Sequence, residues 1–249
     1  MAAMTRESDP VKRERAFTLI ELLVVVSIIA VLMSLLAPSM ARARKQADQV
    51  RCLANQRQLT MAWMQFAHDQ EDRLCKPDGF RSSLMPYAPG SKQAYSCEVC
   101  GGGPSPSNFE VGKGYGLSSA LGGETRDGVV ACGKLHRVTF PSERLVFADI
   151  EEHANPCFWP VVLEKDRWLL RPWSWPPSSS LQGMTARHLD GCNMSFADGH
   201  AAYRRWKDPR TLRLIKGLMA DSGEASSDNT DLDTLVAILT RPFPPEGST

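Results

Sequence analysis

The strongest pattern in the chain is an uninterrupted apolar run near its start. From Leu22 to Ala41, twenty residues carry no formal charge and are mostly Leu, Val, Ile, Ala and Met. Wound as a helix at ~1.5 Å per residue, the run is ~30 Å long, matching the hydrocarbon thickness of a bilayer. It predicts a membrane span. Beyond it the pattern changes period. Cys52, Leu59, Trp63 and Phe66 recur at helical spacing and form one apolar stripe, with Arg51, Gln56, Arg57 and Gln58 assigned to the remaining faces. No Gly or Pro interrupts Ala41 to Gln70, so one helix is expected from about residue 18 to about residue 69. Pro38 should bend it, because proline removes a backbone donor and crowds the preceding turn. Two helices meeting at Pro38 are the alternative.

After Asp72 the chain breaks into short pieces bounded by Gly, Pro and Ser. Leu145 to Ile150 reads as a buried strand. Phe158 to Leu163 and Arg167 to Arg171 flank Glu164-Lys165-Asp166 as a hairpin. Asn193 to Ala197 and Ala201 to Trp206 flank Asp198-Gly199, a stronger hairpin signal because glycine tolerates positive φ. Short helices are expected over Arg210 to Met219 and Leu232 to Thr240. Residues 101–107 read as a loop. The fold class is therefore α+β: a long amino-terminal helix, apolar then amphipathic, packed on an antiparallel sheet. The expected segments are a leader over 1–16, a membrane part of the helix over 17–41, and its amphipathic part over 42–70. A head follows over 71–220, then a carboxy-terminal extension over 221–249 with a short helix and a disordered tail from Pro242.

Charge adds little to this picture. The formal net charge of +1 gives no sign of a nucleic-acid partner or an acidic tail. Basic residues flank the apolar run on both sides, Lys12, Arg13 and Arg15 against Arg42, Arg44 and Lys45, so flank charge does not set its orientation. The run is too long for the apolar part of a cleaved signal peptide, and Ala41-Arg42-Ala43 imitates a cleavage site poorly. Glu21 is the informative residue. A carboxylate at mid-bilayer costs ~2.5–3.5 kcal/mol on insertion scales, less near a helix end, and an ordinary anchor gives no reason for it.

Arg13-Glu14-Arg15-Ala16-Phe17-Thr18-Leu19-Ile20-Glu21-Leu22-Leu23-Val24-Val25-Val26 resembles the processing site of type IV prepilins and type II secretion pseudopilins. The resemblance implies cleavage between Ala16 and Phe17 by a membrane prepilin peptidase, which also methylates the new amine. Glu21 would then neutralise the ammonium of a neighbouring subunit during assembly. The family usually has Gly before the cut; Ala16 stands there in this chain, which implies slower processing. The implied partners are the peptidase, other pilin or pseudopilin subunits and the membrane. The implied location is the bacterial inner membrane, with a single pass and the head in the periplasm or outside the cell after assembly.

A second resemblance lies in the head. His188 is followed by nine residues and then Asp198-Gly199. This is similar to the H-X9-DG signature of a large group of prepilin-type proteins, and Leu53 to Leu59 and Tyr115 to Ser119 resemble other segments of that group. His188, Asp190, Asp198 and His200 are types that suit Zn²⁺ or Mn²⁺. The favoured reading is structural: Asp198-Gly199 makes a turn, and His188 bonds to backbone or packs on the sheet. No metal and no cofactor are expected. Cys97 and Cys100 form half a zinc motif without a second pair. Seven cysteines in a head facing an oxidising compartment predict one or more disulfides, with an odd thiol left over. Trp173 and Trp175, beside Pro176-Pro177, offer a sugar-binding surface or, more commonly, packing. No catalytic constellation stands out, so the expectation is a non-enzymatic filament subunit. The alternative is a processed, membrane-tethered binding or hydrolytic protein that does not polymerise.

Overall fold

The computed structural model describes residues 18–77, 79–88, 95, 114–122, 131–150, 157–158, 184–215, 227–239 and 243. The Ala16–Phe17 cleavage site, the hairpin expected around residues 164–166, the loop at 101–107, Cys97, Cys100, Trp173 and Trp175 lie outside the described residues. Contacts divide the chain into one unit up to Arg44 and a second from Lys45 onward.

Helix α1 runs without interruption over Leu19–Asp69 and contains Pro38, so separate helices meeting at the proline do not form. Its first part is exposed and apolar all round, and a window of it reaches a mean hydropathy of 2.9. The few polar groups there are internally satisfied. Ser27, Ser34 and Ser39 donate their hydroxyls to the carbonyls of Val24, Val31 and Leu36, each at 2.7 Å. Such back-bonding lets a serine enter an apolar medium without an unmet donor.

From Lys45 the helix is amphipathic and packs on a sheet, and a short helix α2 (Phe80–Leu84) follows it in the chain. Cys52, Leu59 and Trp63 are buried as the periodicity predicts, while Phe66 packs only at the rim of the same core and Ala67 fills the buried position beside it. Gln56 departs from its expected polar face. It is fully buried, because it occupies the stripe between Cys52 and Leu59 and finds hydrogen-bond partners there.

The sheet has the order β3-β1-β2-β4-β5, with β1 at Gly114–Ser118, β2 at Leu145–Ile150, β3 at Cys157–Phe158, β4 at Gly191–Phe196 and β5 at Ala201–Arg205. Strands β1, β2, β4 and β5 are antiparallel; the two-residue β3 joins β1 in parallel. A register shift between Leu145 and Phe147 puts Val146 and Phe147 together in the helix-side core, while Leu145, Ala148 and Ile150 join the opposite core. That is the effect of a bulge, which adds a residue and rotates the side chains around it. On the opposite face, Cys192, Met194 and Phe196 of β4 pack with Trp206, Ile215 of α3 (Pro209–Ile215) and Leu232 and Leu235 of α4 (Thr230–Leu239). The sheet is thus covered on both faces, and all six residues of β2 are buried.

Helix α4 is tied in by polar contacts as well. Asn229 caps it, with Oδ1 accepting from the Asp231 and Leu232 amides at 3.0 and 3.2 Å. Buried Asp231 accepts from the Lys207 and Asp208 amides at 2.7 and 2.8 Å. Phe243, placed by composition in a disordered tail, is buried beneath the Arg144 guanidinium at 4.0 Å. The expected disulfides do not appear among the described cysteines: Cys52, Cys75, Cys132 and Cys192 are buried thiols.

Candidate functional site

Two clusters carry the residues singled out by sequence, and each is described by itself. The first is the start of α1. Thr18 precedes the first helical residue, and its hydroxyl accepts from the Glu21 amide at 3.3 Å. Glu21 reaches back, its Oε2 accepting from the Thr18 amide at 2.9 Å and from the Thr18 hydroxyl at 2.7 Å. This reciprocal arrangement is a capping box, which satisfies amides that a helix start leaves without partners. Glu21 is therefore a held carboxylate at the mouth of an apolar helix. Its negative charge lies where the helix dipole is positive.

The second cluster lies between α1 and the head sheet. The helix-facing side chains of β4 and the end of β2 are polar: Asp149, Asn193 and Ser195, all buried. They meet polar groups of α1. Gln56 Nε2 donates to Asp149 Oδ1 at 2.8 Å and to the Asn193 carbonyl at 3.1 Å. The Thr60 hydroxyl donates to Ser195 Oγ at 2.7 Å, and Asn193 Nδ2 donates to the Gln49 carbonyl at 3.2 Å. Asp149 Oδ2 accepts from the Asn193 amide at 2.9 Å, and His188 Nε2 lies 3.5 Å from the same oxygen. Both side chains of the His188–Asp149 pair are 1% exposed. A buried carboxylate needs this many donors, because taking its charge out of water costs several kcal/mol.

Strain helps to position His188. Leu189 and Asp190 follow it with φ of 50° and 62°, and the Gly191 amide closes the turn on the His188 carbonyl at 2.9 Å. Gly191 has no room for a side chain: a Cβ there would sit 2.3 Å from the Arg204 carbonyl oxygen. Asp198-Gly199 forms the turn at the other end of β4, with Gly199 at φ +91° against Met61 and Met64 of α1. Asp198 Oδ1 binds the His200 amide at 3.0 Å and its ring at 2.6 Å. The His200 ring stacks on Phe196. Burial raises the Asp198 pKa, but the His200 amide, ring and charge together hold it below the ordinary value.

The nine residues between His188 and Asp198 thus span one strand. Six strand residues cover about 20 Å, so the His and the Asp-Gly stand at opposite ends of β4 and form no joint site. Among the described residues, no group of three or more His, Cys, Asp and Glu gathers around a common point. His188 turns to Asp149 instead, a residue not singled out by spacing. The available signal was Asp149 itself, an acid inside the apolar run Leu145 to Ile150. Gln56 gave none beyond its place in the apolar stripe.

A family model for the prokaryotic N-terminal methylation motif matches residues 11–37. No curated protein and no solved structure matches the chain. The match covers the Arg13 to Val26 segment and most of the apolar run. The chain carries a prepilin-type methylation motif at its amino terminus, and helix α1, which begins inside that motif, is long and apolar enough to cross a membrane.

Proposed function

Starting from that prepilin-type amino terminus, we propose that the chain is a non-enzymatic subunit of a type IV pilus or type II secretion pseudopilus. A prepilin peptidase cuts between Ala16 and Phe17 and methylates the Phe17 amine. The head then stands outside the inner membrane while α1 packs with the helices of other subunits. The observation that carries this reading is the methylation motif over residues 11–37, with Glu21 inside it at the start of a helix suited to a bilayer.

The chemistry of Glu21 supports assembly. Before cleavage the Phe17 nitrogen is an uncharged amide. Cleavage turns it into an amine with an unperturbed pKa of ~7.7–8, largely ammonium at neutral pH. In an apolar packing a carboxylate and an ammonium offset each other's desolvation, and removing one partner costs ~3–5 kcal/mol. The head does no chemistry on this reading: His188 and Asp198-Gly199 shape strand β4, and the polar cluster fixes the sheet to the spine helix.

One observation favours a second reading, a processed protein that stays tethered and does not polymerise. The Glu21 carboxylate already has two donors within its own chain, from Thr18. Shearing separates the readings. Cells producing only the wild type should release the chain with filaments, and cells producing only Glu21→Ala should retain it in membranes. Wild-type protein confined to membranes, with processing complete, would favour the tethered protein.

A further inference from the structure

We propose that the outer edge of β5 is a docking site for an extended segment of another protein, one that carries two adjacent acidic residues and adds to the sheet as a further strand. The site lies in the head and does not depend on whether the chain polymerises.

The argument begins with hydrogen-bond phase. Strand β5 ends the sheet order, so β4 pairs with one of its edges and the other faces outward. The Phe196 amide donates to the His200 carbonyl at 2.9 Å, and the Trp206 amide donates to the Asp190 carbonyl at 3.0 Å. In an antiparallel pair the hydrogen-bonded positions alternate. His200, Ala202, Arg204 and Trp206 therefore turn their backbone groups to β4, while Ala201, Tyr203 and Arg205 turn theirs outward. Among the described residues, none of those outward amides and carbonyls has a partner. Five residues make an edge of ~17 Å. Both faces of the sheet are covered, so strand addition is the contact this edge has left.

The edge is also held ready. The Tyr203 hydroxyl donates to the Leu189 carbonyl at 2.7 Å. The Tyr203 ring lies over Gly191, where a Cβ would come within 2.4 Å of it. The turn at Gly199 closes the other end of the strand. A strand fixed at both ends loses little freedom when a partner pairs with it.

Charge selects the partner. Arg205 and Lys207 are exposed, and neither has an ion pair among the described residues. Arg204, on the opposite face, meets buried Asp231 Oδ1 at 3.9 Å. The acids that flank the strand in sequence, Asp198 and Asp208, are taken up by His200 and Arg210. Consecutive strand residues point to opposite faces, so Arg204 and Arg205 match one acid on each face of the added strand, two in succession. A second β5 alongside would bring the same positive charges, which repel. The edge therefore disfavours a copy of itself and favours an acidic segment.

The probe is a synthetic peptide, acetyl-Thr-Val-Glu-Glu-Val-Thr-amide, added to the full-length chain in detergent and read by amide hydrogen exchange. In the free chain the Tyr203 and Arg205 amides should exchange at least about tenfold faster than those of Ala202 and Arg204. Saturating peptide should slow Tyr203 and Arg205 at least about tenfold and leave Ala202 and Arg204 as they were. Replacing both peptide glutamates by glutamine, or Arg205→Glu in the chain, should weaken binding at least about tenfold. Unchanged exchange at Ala202 and Arg204 shows that the variant is folded. Two further peptides are N-methylated at alternate amides; one should lose binding and the other keep it, as pairing through a single edge requires. No protection at Tyr203 and Arg205, equal effects of the two methylated peptides, or equal binding of the glutamine peptide overturns the proposal. Protection of the same amides that rises with protein concentration, without peptide, assigns the edge to a second copy and overturns it as well.

Discussion

Gln56 and Asp149, 93 positions apart in the chain, meet at 2.8 Å in the interior, where the helix donates its one buried side-chain amide to the carboxylate of the sheet. The contact joins the outer part of α1 to β2, the Asn193 amide of β4 donates to the other carboxylate oxygen, and His188, ahead of β4, lies 3.5 Å from that oxygen. The helix is held to its head by directional bonds as well as by apolar burial. That arrangement fixes helix register, since sliding α1 by one turn would leave Asp149 short of a donor.

Gln56→Leu should therefore destabilise the head more than loss of an ordinary hydrogen bond, by about 2–3 kcal/mol, because a charged acceptor stays behind. Denaturant unfolding of the full-length chain in detergent would measure it. A double-mutant cycle with Asp149→Asn should show a coupling of at least ~1 kcal/mol. Additive losses would mean that the two side chains do not depend on each other.

The two turns that bracket β4 should respond in opposite senses. Gly199→Val places a β-branched residue at φ +91° and should cost about 1–3 kcal/mol. Leu189→Asn relieves a bulky residue at φ 50° and should gain up to about 1 kcal/mol. Thermal unfolding of both variants beside the wild type gives the two signs directly.

Much of this fold was legible because periodicity and turn chemistry are local. The single helix over Leu19–Asp69, the buried strand Leu145–Ile150 and the hairpin around Asp198-Gly199 follow from spacing and from one glycine's backbone freedom. Strand β1 was not legible as a strand, since Gly114-Tyr115-Gly116 has weak intrinsic preference and is held by its neighbour β2. The polar cluster was hidden for a related reason. Glutamine on a helix and Asn and Ser alternating along β4 look like solvent-facing positions, and only the meeting of the two faces makes them interior.

Acid should loosen the carboxy-terminal layer. Asp208 stands before α3, accepting from the Arg210 amide at 2.8 Å and from its guanidinium at 2.7 Å. The Arg210 side chain, against a smaller opposing effect of burial, holds its pKa below the ordinary value. A carboxylate depressed by folding stabilises above its unfolded pKa, and that contribution fades as pH falls through the folded value. The wild type should thus lose denaturant resistance below about pH 4, where an unfolded Asp begins to take up protons. Asp208→Asn should lose less over the same interval, which a series of denaturation midpoints would reveal.

Thr18→Val removes the hydroxyl from the capping box while keeping the side-chain volume. Loss of such a cap costs about 1 kcal/mol, so the first turn should fray. Amide exchange of Leu19 to Leu22 in detergent micelles should rise in Thr18→Val and stay near wild type in Thr18→Ser. Equal exchange in all three would show that Thr18 does not hold Glu21.

The intact mass of the chain extracted from membranes of cells with an active prepilin peptidase tests the central claim most directly. The account predicts a protein that begins at Phe17 and carries one added methyl group on its amino terminus. A chain that keeps its leader through Ala16, or begins elsewhere, would contradict it.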